Sequence, residues 1–110
     1  MRVRVDDISG VIVKDNDTYK VIDNTSLNNL VLSKTILHPM KETTGHEHPG
    51  QEEVYQFVHG HGSMTVGRMT FMVRAGEIVL IPDGLFHKVR NTSRVEDLVF
   101  VCVFNGKRSH

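Results

Sequence analysis

Residues able to bind a metal crowd into two short stretches of this chain. Residues 45–53 read Gly-His-Glu-His-Pro-Gly-Gln-Glu-Glu, and residues 76–91 carry Gly76, Pro82, Gly84, His87 and Asn91. Together they offer three histidines, His46, His48 and His87, and a carboxylate. Imidazole nitrogens with a carboxylate oxygen suit one divalent transition ion: iron, manganese, nickel, cobalt, zinc or copper. His46 and His48 are two residues apart. On extended backbone such residues share a face, so one ion can take both rings. Gly45, Pro49 and Gly50 oppose a helix, which argues against the zinc-protease pattern of two histidines one helical turn apart. Glu52 and Glu53 open a strand after the Pro49-Gly50 turn and must face opposite ways. Only one can be a ligand, and Glu53 is the choice, because Tyr55 and Phe57 then share its face and give it aromatic walls. Tyr55 becomes the candidate for a hydroxyl lining a substrate site.

In the second stretch, Pro82-Asp83-Gly84 suits a type I turn with proline at its second position and glycine at its fourth. That turn would aim His87 back across the fold. Asn91, four residues on, is placed to tie backbone groups across the end of a sheet. Other residues have plainer readings. His59 and His61 flank Gly60 as turn histidines rather than a second metal site, and His38 ends a strand. Met64, Met69 and Met72 read as core filler. Cys102 alternates with Val99, Val101 and Val103 and should be buried and unreactive. Lys34 and Arg90 read as surface residues.

These groups must be positioned by strands, because helical periodicity is nearly absent. Strands are expected over residues 2–5, 11–13, 18–22, 30–37, 54–58, 63–66, 69–73, 77–81, 87–89 and 98–104, with one helical turn near 23–29. Gly67-Arg68 has the glycine-first signature of a two-residue hairpin. Turn signals at these intervals predict an all-β sandwich or barrel. At 110 residues the chain is one domain, 1–110. A chain this short buries roughly 60% of its unfolded surface, so a metal or a partner subunit would help it. The formal net charge is zero, which supplies no footprint for nucleic acid or an anionic membrane. The lone cysteine forbids an internal disulfide and fits a reducing, cytoplasmic setting. Residues 1–6 lack the apolar stretch of a secretory leader. The longest apolar run, 98–104, is too short to span a membrane. The polar tail, 105–110, should fray.

The two stretches resemble the paired motifs of the cupin superfamily. In the first, His46-x-His48 is followed after four residues by Glu53 and after six more by Gly60, so the motif occupies 46–60. In the second, Gly76, Pro82, Gly84, His87 and Asn91 match every fixed position over 76–91. One departure exists: Met40 stands where the first motif opens on glycine, which bears on the turn after Pro39. The resemblance implies a jelly-roll β-barrel with the metal inside, held by His46, His48, Glu53 and His87. It also implies a homodimer, and the alternating residues 2–5 offer an edge to be covered by the partner. Two functions compete. One is a metal-dependent enzyme acting on a small polar molecule. It would be isomerase- or epimerase-like, with Glu52 or bound hydroxide as base, or dioxygenase-like. Residues 53–64 faintly resemble small cupin-type glucose-6-phosphate isomerases. The other function is a non-catalytic module that binds a small molecule.

Overall fold

The computed structural model describes residues 1–106. Among the described residues nine strands form two sheets: β1 (Val11–Asp15), β2 (Tyr19–Asn24), β3 (Leu30–Leu37), β4 (Glu53–His59), β5 (His61–Val66), β6 (Met69–Arg74), β7 (Ile78–Ile81), β8 (His87–Asn91) and β9 (Leu98–Asn105). The larger sheet runs β1-β2-β3-β9-β4-β7 and the smaller runs β6-β5-β8. All the pairings are antiparallel. No helix occurs among the described residues, and the turn expected over 23–29 is irregular chain. The two sheets face each other in a jelly-roll arrangement rather than closing into one continuous ladder. His46 and Glu42 extend the small sheet by single bridges to His87 and Arg90.

Strand alternation builds the core. Tyr55 and Phe57 of β4 point inward with Phe100, Cys102 and Phe104 of β9. Met64, Val73 and Val89 meet them from the small sheet. Tyr55 stacks on Phe100 at 5.2 Å between ring centroids, an offset arrangement that adds to simple area burial. Met69 and Met72 are exposed rather than core. On edge strand β6 the inward positions belong to Val73 and the half-buried Phe71, so Met72 must face out.

Between β4 and β5 the chain passes from the larger sheet to the smaller through a single residue, Gly60. A Cβ on Gly60 would lie 2.5 Å from the Asp97 carbonyl oxygen, and its φ is +86°. Both conditions exclude other residues. The hairpin at Gly67-Arg68 forms as expected, with φ +61° at Gly67. Met40 adopts the left-handed conformation, φ 63°. The turn after Pro39 is therefore made without the glycine, with Lys41 N donating to His38 O at 3.2 Å. Such a conformation costs a residue bearing a Cβ about 1–2 kcal/mol. The strand expected over residues 2–5 is absent. Arg4 instead bridges Asp7 around a local turn, because this segment has no neighbouring strand to continue its alternation.

Candidate metal centre

The two motif turns are bound to each other. At the first, Gln51 N donates to His48 O at 3.1 Å, with Gly50 at φ +84°. At the second, Leu85 N donates to Pro82 O at 3.2 Å. Pro82 therefore occupies the first turn position, not the second. Gly84, with φ +72°, takes the third position, where type II geometry demands a positive φ. The Asp83 carboxylate then accepts a bond from Gly50 N at 2.7 Å. His46 and His87 exchange backbone bonds of 3.1 and 3.0 Å. These ties bring residues some forty positions apart in sequence to one end of the sandwich.

Ligand-type atoms of His46, Glu53 and His87 lie within 4.8 Å of one another. Glu53 and His87 are both buried, whereas Glu52, the residue just before β4, is exposed. His48 stands outside this tight trio, its ring centroid 4.6 Å from that of His46. His46, His48, Glu53 and Tyr55 line a cavity of about 470 Å³, along with Thr35, Thr43 and Lys14. Lys14 reaches this wall from β1. His61 bonds through its ring to Thr92 Oγ1 at 3.2 Å, and His38 pairs with Asp97 at 3.1 Å. His110 lies outside the described residues. Lys34 is buried, not a surface residue, and Arg90 lies 3.8 Å from Glu42.

The Glu53–His87 contact identifies what the site is suited to hold. His87 Nε2 and Glu53 Oε2 are 2.6 Å apart. Beyond this contact neither atom has a hydrogen-bond partner. When the ring is neutral the two atoms are buried acceptors facing each other, which is costly, and a shared cation satisfies both. His87 Nδ1 is 2.9 Å from the Leu85 carbonyl oxygen. That acceptor requires the proton on Nδ1 and leaves the Nε2 lone pair facing Glu53, the outer-sphere orientation usual for metal-binding imidazole. Donors at roughly 2.0–2.2 Å from one ion stand about 3–4 Å apart, so the ion calls for a slight opening of the 2.6 Å Glu53–His87 pair within a trio that already spans no more than 4.8 Å. The donor set fits a divalent transition ion.

The charges reinforce each other. Burial pushes Glu53 upward, but contact with His87 and the charges of His87, His46 and His48 outweigh it and hold the carboxyl below its ordinary 4.5. Burial likewise lowers His87, and is outweighed by the Glu53 contact, the Leu85 carbonyl and the Glu53 charge, so the ring lies above its ordinary 6.5. In the metal-free protein the Glu53 contribution is present above 4.5 and fades as pH falls through the depressed value. The His87 contribution is present below 6.5 and fades as pH rises through the raised value. The pair therefore stabilises the metal-free protein most between those two limits. A metal must displace the His87 proton, so its affinity should climb with pH through the raised His87 value and then level off. The expected slope is about tenfold per pH unit for one displaced proton. Competition titration with a chromophoric chelator across that range checks this, and a flat profile would contradict it.

The fold and donor set define a small β-sandwich protein with a histidine–carboxylate site between its sheets. A model of the cupin domain matches residues 34–104, and the chain belongs to the cupin family. A probable oxalate decarboxylase of Arthroderma benhamiae is 32% identical over 102 residues, covering 83% of this chain but only 24% of that protein. A double-stranded β-helix protein of Klebsiella pneumoniae superposes with a TM-score of 0.80 at 22% identity, covering 94% of this chain and 88% of that one. Oxalate decarboxylase of Bacillus subtilis, whose structure was studied for its Mn(II) centres, superposes with a TM-score of 0.77 at 24% identity, covering 90% of this chain and 28% of that one. No helix among the described residues is long and apolar enough to cross a membrane.

Proposed function

We propose that this protein binds one divalent transition ion through His46, His48, Glu53 and His87 and uses it to act on a small polar molecule in the adjoining cavity. The observation that carries this reading is the buried Glu53–His87 contact, 2.6 Å long, whose two atoms have no other partner and lie within 4.8 Å of a ligand atom of His46. A bound ion would supply Lewis acidity and open coordination positions. Around it the chain's own side chains hold and orient the ligand. Tyr55, Thr35 and Thr43 border the cavity and offer hydroxyls, while Phe100 supplies an apolar wall. The cavity of about 470 Å³ is in the range of small-molecule sites.

Glu52 is no candidate base for an isomerase, because it is exposed and absent from the cavity wall. Glu53 is the one carboxylate on the wall among the described residues, and the metal claims it. This favours chemistry centred on the ion, of dioxygenase or decarboxylase type, over enolisation by a separate carboxylate base. The same scarcity of acids and bases supports a second reading, a module that binds its ligand without turnover.

Reconstitution separates them. The metal-free protein is loaded in turn with iron, manganese, nickel and zinc and offered small carboxylic acids and sugar phosphates. Turnover of an acid with iron or manganese is the expected result. Saturable binding without turnover under every metal would leave the binding module as the better account.

A further inference from the structure

Strand β1 contains a fault that changes which way a lysine faces. Ile12 pairs with Ile22, but the next pair is Lys14 with Val21. Two residues of β1 therefore span one step of β2, and Val13 is the extra residue of a β-bulge. Val21 is buried on the cavity side of the sheet. In an unbroken ladder Val13 would oppose Val21, and Lys14 would turn outward. The bulge reverses Lys14 and puts it on the cavity wall beside Val13. Bulges recur next to functional sites because they re-aim one side chain in this way.

Lys14 is held once it is there. Its Nζ donates to the Tyr19 hydroxyl at 3.1 Å, and Tyr19 also lines the cavity. Among the described residues no ion pair includes Lys14. It is also the one lysine or arginine on the cavity wall. An ammonium without a carboxylate partner, seated over the Tyr19 ring at 5.5 Å, therefore stands at the exposed rim of the space lined by His46, His48 and Glu53.

We propose that Lys14 is a specificity residue that selects a small dicarboxylate, one carboxylate on the metal and the other on the Lys14 ammonium. This rests on the metal-binding reading above. With the ion bound, positive charge stands at two separate places, the metal and Lys14, against the single negative charge of Glu53. A ligand with its charge divided between two ends matches that layout. A phosphomonoester concentrates about −1.5 to −2 charge in one group and would leave one of the two cations unused. A neutral sugar would leave Lys14 without a counter-charge.

The test uses manganese-loaded protein and isothermal titration with malonate, succinate and glutarate, each against its monoamide. Metal content is measured separately for every variant. The best-fitting diacid should bind about threefold to fivefold more tightly than its monoamide, the upper worth of an exposed ion pair. Lys14→Met keeps the aliphatic stem and should abolish that preference with metal content unchanged, whereas Lys14→Arg should keep it. A preference that survives Lys14→Met, no preference in the native protein, or tighter binding of phosphoglycolate than of every diacid would each overturn the proposal. Failure of the native protein to retain manganese would instead refute the metal reading, and this proposal with it.

Discussion

Glu53→Gln is expected to strip the protein of its metal, while Glu52→Gln leaves metal content at the native level. Glu53 is 7% exposed and faces the histidines, whereas Glu52 points to solvent from the adjacent position. Outer-sphere partners alone are worth roughly 10–100-fold in metal affinity, so losing an anionic ligand should cost more than that range. His87→Ala should match it in metal loss and do further damage to the metal-free protein. It leaves the Glu53 carboxylate buried without the imidazolium that offsets its desolvation. Removing one member of a buried pair costs about 3–5 kcal/mol, and the lower end fits here because the pair borders a cavity. Metal content after dialysis and melting of the metal-free variants check both statements. Full metal retention in Glu53→Gln and His87→Ala would remove the assignment.

The second large effect is expected at Asn91, away from the metal. Asn91 is fully buried, at 0% exposure. Its Nδ2 donates to Leu37 O at 2.9 Å and to Glu96 O at 2.8 Å. Its Oδ1 accepts from Ser93 N at 2.9 Å. One side chain thus joins the end of β3 to the loop before β9. Asn91→Ala removes all three bonds and leaves the Leu37 carbonyl buried without that donor. Each such orphaned group costs about 1–3 kcal/mol. A total near 3 kcal/mol would lower the melting temperature by more than about 10 °C, with metal stoichiometry retained in the protein that remains folded. A shift within a degree or two would show that water replaces these bonds.

What could be read from the sequence followed from local chemistry. Glycine and proline punctuation placed most of the strands, and alternation from Glu53 put Tyr55 and Phe57 inward, where they are found. The resemblance of the paired motifs implied one site for His46, His48, Glu53 and His87, and ligand atoms of His46, Glu53 and His87 lie within 4.8 Å of one another. The failures came where tertiary pairing decides. Residues 2–5 alternate like a strand but have no ladder to join. Met72 is apolar but occupies the open face of an edge strand, and Met69, at the hairpin end of that strand, lies exposed although it shares the parity of Phe71 and Val73. Met40 takes a conformation that its type disfavours, because the bonds at Lys41 and Ser93 close the turn around it. The bulge at Val13 has no sequence signature. It is visible only in the register against β2, and with it the reorientation of Lys14 was hidden.

The most direct test of a metal held by these residues is anomalous diffraction from crystals of the protein grown without chelator, measured on both sides of the absorption edge of the metal found by elemental analysis. The account predicts one strong anomalous peak per chain, bonded to His46, His48, Glu53 and His87. Protein lacking bound metal after supplementation, or a peak centred instead on His59 and His61, would contradict it.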